Sequence, residues 1–328
     1  MRIRRSTSPE PDDMPTVAAT GNGATPSIQF NEVSRWFGDI VALSDVSFNI
    51  GPGVTGLLGP NGAGKSTALK IMAGLLPPSS GDSLIKGKPA RSDLSAYGEL
   101  GLVAEHELLY PFLTGREYVL LNAKLQGLKN PKSATEQAIE LVNMGQAAER
   151  KVGGYSKGMR QRIKIAGAMV HDPEVILMDE PLNGTDPVQR AEIIRLIRQL
   201  GREGKTVVVS SHVLVEVERF AQDILVVING KLAAAGDFHT IRDRIDSHDH
   251  EIRIVSSDAR GLAGLLFSQP MVSGVRIDKQ GRLLVQTTDV KEFFRMVPAA
   301  AQHSDIRLFE MQPTDDSLQS VFSYLVQN

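Results

Sequence analysis

The hydrophobic and polar positions between residues 28 and 236 form short apolar runs that alternate with longer segments of helical periodicity. Helices are expected from Lys65, Ser156 and Pro187, and over residues 114–144 with a break near 127–131. Strands that alternate with helices indicate an α/β domain built on a parallel sheet. The apolar runs predict strands at residues 28–33, 41–50, 54–59, 83–86, 101–104, 175–178, 206–210 and 224–228.

The pattern changes beyond about Gly236, where a helical piece at 238–245 runs into the polar segment DSHDHE. This segment is predicted to be a linker. A metal site at His248 and His250 is the less favoured alternative. The following order of predicted elements is strand 252–255, helix 259–267, strand 272–277, strand 283–286, helix 290–297 and strand 306–309. This βαββαβ order is typical of ferredoxin-like α+β domains, and a last amphipathic helix is predicted at 315–326.

These patterns predict three regions in the chain of 328 residues. Residues 1–26, rich in proline, acids and small polar residues, are expected to form a disordered tail. Residues 27–247 are expected to form the main α/β domain, with a helical insert at about 105–172. Residues 248–328 are expected to form a small accessory domain.

Composition restricts the classes of function. The 36 basic and 38 acidic residues leave a net charge of −2, which gives no global field favouring nucleic acid or an acidic membrane. The chain has no cysteine, so disulfides, thiolate metal sites and cysteine nucleophiles are excluded. No apolar run approaches the ~18 residues that cross a bilayer, so we expect the chain not to span a membrane by itself.

The stretch GPNGAGKST, residues 59–67, joins a predicted strand to a predicted helix. Its glycines let backbone N–H groups turn inward, and the helix directs its positive N-terminus at an anion, so we predict a phosphate site. This context makes a plain glycine-rich turn with an exposed lysine the weaker alternative. Lys65 is expected to reach the β- and γ-phosphates, and the Ser66 hydroxyl to bind Mg²⁺. The predicted nucleotide-binding residues are Gly59, Asn61, Gly62, Gly64, Lys65, Ser66 and Thr67.

The apolar strand VILMDEP ends in Asp179 and Glu180. A parallel strand delivers such side chains to the crevice at the carboxyl edge of the sheet, where the phosphate loop also lies. We predict that Asp179 holds Mg²⁺ and that Glu180 is the general base that polarises the attacking water. An ordinary strand end with solvated acids is the alternative.

Several motifs follow one another in order: GPNGAGKST, YSKGMRQR at 155–162, VILMDEP, LNGTDP at 182–187 and SSH ending at His212. In this order they resemble the motifs of ABC-transporter ATPase subunits, over about residues 28–236. The resemblance implies a P-loop nucleotide-binding fold, ATP and Mg²⁺ as cofactors, and ATP hydrolysis coupled to transport. It also implies a separate transmembrane permease and a head-to-tail dimer, in which the YSKGM segment of one subunit closes over ATP held by the other.

The resemblance assigns further roles. His212 matches the switch histidine that contacts the γ-phosphate, which makes it a second catalytic candidate, although a core histidine is the usual case. Phe37, before Gly38, matches the aromatic residue that stacks on adenine, with core packing as the alternative. Residues expected to meet ATP held by the partner subunit are Ser156, Lys157, Gly158 and Asp186.

Some positions depart from the commonest pattern of the family. Glu105 stands where a glutamine usually contacts Mg²⁺ and the permease interface, and it is predicted to be a metal ligand whose charge alters the site. Lys157 and Met159 replace residues of the usual LSGGQ, and Thr185 replaces a leucine. The YSKGM form and the C-terminal domain resemble the exporter branch that handles drugs, antibiotics or lipids, which includes gliding-motility and sodium-export ATPases.

Two other classes of function agree less well with the sequence. ABC ATPases that act on nucleic acid or ribosomes usually carry two cassettes or a long coiled coil, and this chain has one cassette and no basic stripe. The second class is a regulator that binds nucleotide without hydrolysing it and has no role in transport. The chain argues against this class because it has all four expected residues, Lys65, Asp179, Glu180 and His212. We therefore expect no nucleic-acid partner, a second ATPase subunit that is identical or paralogous, and a cytoplasmic protein held at the cell membrane by its permease.

Overall fold

A computed structural model describes residues 16–17, 26–106, 109–237, 241 and 250–313 of the chain. The chain divides into two compact units, residues 1–238 and 239–328. The expected boundary at residues 247 and 248 lies outside the described residues. So do nearly all of the predicted N-terminal tail, most of the helix at 238–245 and the helix at 315–326; within the tail, Thr16–Val17 forms a short strand.

The described residues of the first unit form two sheets. Its strands are β1 Thr16–Val17, β2 Ile28–Phe37, β3 Ile40–Ile50, β4 Gly53–Leu58, β5 Ser80–Ile85, β6 Lys88–Pro89, β7 Leu100–Val103, β8 Val175–Asp179, β9 Thr206–Ser211, β10 Asp223–Ile228 and β11 Lys231–Asp237. Its α-helices are α1 Lys65–Met72, α2 Gly115–Leu125, α3 Pro131–Leu141, α4 Lys157–Met169, α5 Pro187–Arg202 and α6 Leu214–Val217. Short 3₁₀ helices lie at Leu94–Glu99, Gly145–Glu149 and Val152–Gly154.

The larger sheet has the strand order β11-β10-β4-β9-β8-β7, and its strands from β10 to β7 pair in parallel. Every residue of β4, β8 and β9 is buried, as expected for a parallel sheet covered on both faces. This confirms the parallel α/β core. The edge strand β11 is antiparallel to β10, and Asn229 and Gly230 between them have positive φ, as tight hairpin turns require.

The first predicted strands do not join this parallel sheet. Strands β2 and β3 pair with each other in antiparallel fashion, and β2 also pairs with β5, in a separate sheet of order β1-β3-β2-β5-β6. The reason is geometric: only Gly38 and Asp39 connect β2 to β3, and a parallel crossover needs a dozen or more residues. The rings of Phe30 and Phe48 stack at 4.8 Å between centroids inside this layer.

Helices α2, α3 and α4 form the predicted insert. Thr114 begins α2 with a capping box in which Glu117 is the reciprocal partner, and α2 and α3 are separated near Gly127, as predicted. None of the helices in the described ranges is long and apolar enough to cross a bilayer.

The second unit contains strands β12 His250–Ser256, β13 Val272–Ile277, β14 Leu283–Thr287 and β15 Leu308–Pro313, and helices α7 Ala259–Phe267 and α8 Val290–His303. The strand order β13-β14-β12-β15 is antiparallel throughout, which confirms the ferredoxin-like arrangement. The predicted helix ended at Val297, but α8 continues through Pro298 to His303 because Ala301 is buried in the core. The last strand begins later than predicted, at Leu308.

Candidate functional site

The phosphate loop leaves the buried strand β4 and ends where α1 begins at Lys65. Gly64 has a φ of 107°, and a Cβ atom there would lie 2.5 Å from the carbonyl oxygen of Ala42. A Cβ atom at Gly59 would lie 2.3 Å from the carbonyl oxygen of Val227. Only glycine fits such close backbone contacts. The loop is thereby held against its neighbours, and the unpaired N–H groups of the first turn of α1 lie beside it.

A cavity of about 550 Å³ lies beside this loop. The predicted site residues that line it are Asn61, Gly62, Gly64, Lys65, Ser66, Thr67, Glu105, Glu180 and His212. Residues separated by up to about half of the chain therefore meet around one space. Asn183 and the β3 residues Ile40, Val41 and Ala42 also line this cavity, which we call the nucleotide cavity.

The Lys65 side chain is 7% exposed and folds back over its own loop. Its Nζ donates to the carbonyl oxygens of Gly59 at 2.8 Å and Pro60 at 3.1 Å, and it lies 4.0 Å from Oε1 of Glu180. Burial lowers the pKa of Lys65, while the negative charges of Glu180, Asp179 and Glu105 oppose this shift. An ammonium group held by neutral carbonyls can exchange these contacts for phosphate oxygens.

Glu180 and His212 meet at the ends of β8 and β9. Nδ1 of His212 lies 2.9 Å from Oε1 of Glu180, and burial raises the pKa of Glu180 although this hydrogen bond opposes the shift. The backbone of Glu180 has a φ of 47°, a conformation that a non-glycine residue adopts at a cost of about 1–3 kcal/mol. Its N–H donates to Oγ of Ser210 at 2.9 Å, which holds the backbone in this conformation.

Asp179, the residue before Glu180, is buried at the end of β8. Oγ of Ser210 donates to Oδ1 of Asp179 at 2.6 Å, so one serine hydroxyl contacts both acidic residues. The three residues expected to hold Mg²⁺, Ser66, Asp179 and Glu105, offer only hard oxygen donors, which is the donor chemistry that Mg²⁺ prefers. Within the described ranges there is no cluster of three or more acidic or histidine ligands. Two carboxylates and a hydroxyl leave coordination positions for waters and substrate phosphates, as Mg²⁺ sites in nucleotide-binding proteins do.

The residues expected to face a partner subunit lie at two helix N-termini. Ser156 caps α4 by accepting from Met159 N at 3.3 Å, and Asp186 caps α5 through the N–H groups of Val188 and Gln189, each at 3.0 Å. Ser156, Lys157, Gly158 and Asp186 are not among the described residues that line the nucleotide cavity.

Gly158 and Gln189 bring the two helix starts into contact. A Cβ atom at Gly158 would overlap Oε1 of Gln189, at 1.2 Å. Lys157 lies beside the loop that precedes α5, because its Nζ would be 2.3 Å from a Cβ atom at Gly184.

Phe37 lies at the end of β2 and is 46% exposed, so core packing does not account for it. The guanidinium carbon of Arg35 lies 4.5 Å from the centroid of its ring. The described lining of the nucleotide cavity includes Ile40 and Val41 rather than Phe37.

Sequence reasoning gave no separate role to several residues of the site. Ser210 lies within the SSH motif, but its contacts with Asp179 and Glu180 depend on the alignment of β8 with β9. Lys164 on α4 is buried and donates to the carbonyl oxygens of Ala104 at 2.7 Å and Glu105 at 3.3 Å. No sequence signal marks Lys164, because its partners lie about sixty residues away in the chain.

Comparison with known proteins decides the family. The family model described as ABC transporter matches residues 43–183. The linearmycin resistance ATP-binding protein LnrL of Bacillus subtilis (strain 168) is 34% identical over 213 residues, which cover 64% of this chain and 68% of the relative. The chain belongs to the ABC transporter family. The bacitracin transport ATP-binding protein BcrA of Bacillus licheniformis is 34% identical over 220 residues, which cover 66% of this chain and 72% of that relative.

Solved structures of ATP-binding cassettes also match the chain. The structure of an ATP binding subunit of an ABC transporter matches with a TM-score of 0.61 and 26% identity, covering 66% of this chain and 92% of the other. A dimeric post-hydrolysis state of the ATP-binding cassette MJ0796, bound to ADP and Pi, matches with a TM-score of 0.59 and 25% identity, covering 64% and 98%. The chain is thus an ATP-binding ABC ATPase, and such subunits generally dimerise and pair with transmembrane permeases.

Proposed function

We propose that this chain is the ATP-hydrolysing subunit of an exporter and drives a separate transmembrane permease. The observation that carries the proposal is the convergence of the phosphate loop, Glu180 and His212 on one cavity. Export is favoured because relatives include proteins named for linearmycin resistance, bacitracin transport and Nod factor export. The permease would hold the chain at the cytoplasmic face of the cell membrane.

Each part of the nucleotide cavity has a proposed role in hydrolysis. The N–H groups of residues 59–67 and the Lys65 ammonium bind the β- and γ-phosphates. Glu180 accepts a proton from the attacking water while the water oxygen bonds to the γ-phosphorus and the bond from that phosphorus to the ADP oxygen breaks. His212 holds the Glu180 carboxylate through the 2.9 Å contact and faces the departing phosphate. The raised pKa of Glu180 makes it a stronger base than an exposed glutamate.

Ser66, Asp179 and Glu105 are the residues proposed to hold Mg²⁺. The ion, when bound, neutralises charge on the phosphates. Ser210 fixes Asp179 by its 2.6 Å hydrogen bond and leaves the other carboxylate oxygen for the metal. Phe37 is proposed to stack on adenine, because its ring is half exposed at the end of β2.

A second ATPase subunit, identical or paralogous, is proposed to complete each site. The start of α4 contains Ser156, Lys157 and Gly158, and the start of α5 contains Asp186. Both helix starts are far along the chain from the phosphate loop at residues 59–67. The N–H groups at the start of α4 are hydrogen-bond donors for the γ-phosphate of the ATP held by the other subunit. Closure over ATP would follow when two chains meet head to tail.

The test is capture of the tagged full chain from detergent-solubilised membranes of its own host, in the presence of ATP and Mg²⁺. We expect the Glu180→Gln variant to retain a multi-span membrane protein, and Lys65→Ala, the matched control without phosphate binding, to retain less of it. Reconstitution of that membrane protein with the chain in liposomes should then raise ATP hydrolysis. Recovery with ribosomes or DNA instead, or a membrane protein that leaves hydrolysis unchanged, would contradict the proposal.

A further inference from the structure

A second cavity of about 240 Å³ adjoins the nucleotide cavity. The two cavities share Glu105, Glu180 and Asn183 as lining residues. Glu180, the proposed base, therefore borders both spaces. A product released beside Glu180 therefore lies next to the second cavity.

The remaining lining of the second cavity consists of donor and cationic side chains, namely His106, Lys157, Gln161 and Lys164. Gln161 on α4 is 91% buried, and its Nε2 has no hydrogen-bond partner among the residues that the structure describes. A buried amide donor without a partner is costly, so its retention here points to a partner that enters the cavity. The ammonium groups of the buried Lys164 and of Lys157 add positive charge to the same cavity.

Acidic and cationic side chains are distributed unevenly around the second cavity. Glu105 and Glu180 line both cavities, and we call them the carboxylate wall. Lys157, Gln161 and Lys164 line the second cavity but not the nucleotide cavity, and we call them the Gln161 wall. A tetrahedral oxyanion is repelled by ionised carboxylates and accepts hydrogen bonds from the Gln161 amide and the Lys157 ammonium group. Lys164, whose Nζ already donates to two carbonyl oxygens, contributes positive charge. The volume is several times the ~30 Å³ that one water occupies, which is room for a phosphate ion.

We propose that this second cavity is a binding site for inorganic phosphate, the product that forms beside Glu180. The inference rests on the hydrolysis cycle proposed above. Phosphate moves from the carboxylate wall to the Gln161 wall after the bond to ADP has broken, so that it leaves Glu180 before the subunits separate. Ordered water is the alternative partner for Gln161. If water alone occupied the cavity, a negative charge at position 161 would not change the binding of phosphate to the protein.

Equilibrium dialysis of the full ADP-loaded protein against radiolabelled inorganic phosphate tests the site without any need for turnover. Gln161→Glu replaces a donor with a negative charge at nearly constant volume, and we expect its phosphate dissociation constant to rise about tenfold or more. Gln161→Met removes the donor without adding charge and should give a smaller rise. Equal phosphate binding by the wild-type chain and Gln161→Glu would overturn the proposal.

A second pair of variants, at the exposed residue His106, keeps the proposal testable if the buried Gln161 variants fail to fold. His106 is exposed at the cavity, so His106→Glu should fold normally and weaken phosphate binding, while the neutral His106→Gln should not. An acid-quench assay of the wild-type chain separately measures ATP cleavage. Absence of cleavage would count against the proposed function, whereas cleavage without any effect of Gln161→Glu and His106→Glu on phosphate binding would count against this site alone.

Discussion

Nδ1 of His212 lies 2.9 Å from Oε1 of Glu180, at the carboxyl edge of two adjacent parallel strands. This contact places an imidazole against the largely buried carboxylate that lines both the nucleotide cavity and its neighbour. The carboxylate is thus held in one position and desolvated, and both conditions favour a base that acts on a single water.

Replacement of Glu180 by glutamine should separate binding from hydrolysis. Glutamine keeps the size of the side chain but cannot accept the water proton, so ATP binding should remain and turnover should fall by about 10²–10⁴-fold. Fluorescent-nucleotide binding and phosphate release measure the two properties. The matched control is Glu105→Gln, for which we expect nearly intact binding because an amide oxygen can still bind Mg²⁺. Native turnover in Glu180→Gln would remove Glu180 from the mechanism.

Removal of His212 should move the pH dependence of hydrolysis. Burial raises the pKa of Glu180 and the hydrogen bond from His212 lowers it, so His212→Ala should raise this pKa further. The base is active when deprotonated; hydrolysis is therefore lost as the pH falls through the pKa of Glu180, and in His212→Ala this loss should begin at a higher pH. Single-turnover rates across pH provide the measurement. In His212→Gln, which retains a hydrogen-bond donor, the loss should begin at a pH between those of the wild-type chain and His212→Ala. If hydrolysis is lost at the same pH in His212→Ala as in the wild-type chain, the contact with His212 does not set the pKa of Glu180.

Gly64 provides a test of the phosphate loop. Gly64→Ala combines a φ of 107° with a Cβ atom 2.5 Å from the Ala42 carbonyl oxygen, so we expect weakened ATP binding and a loss of more than about 2 kcal/mol in the free energy of unfolding. Gly127→Ala is the control, because Gly127 also has positive φ but has nothing within 4 Å of the added atom. It should cost about 1–2 kcal/mol and leave ATP binding unchanged. Similar binding losses in both variants would show that contact with Ala42 is unimportant.

The second unit should be separable from the nucleotide site. It has its own core around Ile252, Leu262, Val285 and Phe293, so a chain truncated after Ser247 is expected to bind ATP. Fluorescent-nucleotide titration of the truncated chain, with circular dichroism to confirm folding, is the measurement. A folded truncated chain that does not bind ATP would show that residues 248–328 contribute to the site.

The sequence was most informative where one local rule decides the structure. The buried strand β4, the phosphate loop and the helix starts near Ser156 and at Pro187 could all be predicted, because glycine conformations and helix-starting residues depend on neighbours in the chain. The meeting of Glu180 with the phosphate loop could also be predicted, since carboxyl ends of parallel strands converge.

Other features depend on which distant segments pack together. The pairing of β2 with β3 outside the parallel sheet was not predicted, although their short connection excludes a parallel crossover. The Lys164 contacts and the double hydrogen bonding of Ser210 have no local pattern, because they arise from the positions of helices and strands far apart in the chain.

Two chains are proposed to share each ATP, and a mixture of two variants can test this sharing. Lys65→Ala should abolish phosphate binding in the chain that carries it, while Ser156→Ala should weaken closure over ATP held by the other chain. A mixed dimer of these variants has one site that lacks both groups and one site with both intact. The decisive quantity is the ATP trapped per dimer after the two variants are mixed and subunit exchange is verified. We expect the mixture to trap more ATP than either variant alone; trapping no higher than that of the separate variants would contradict the shared site.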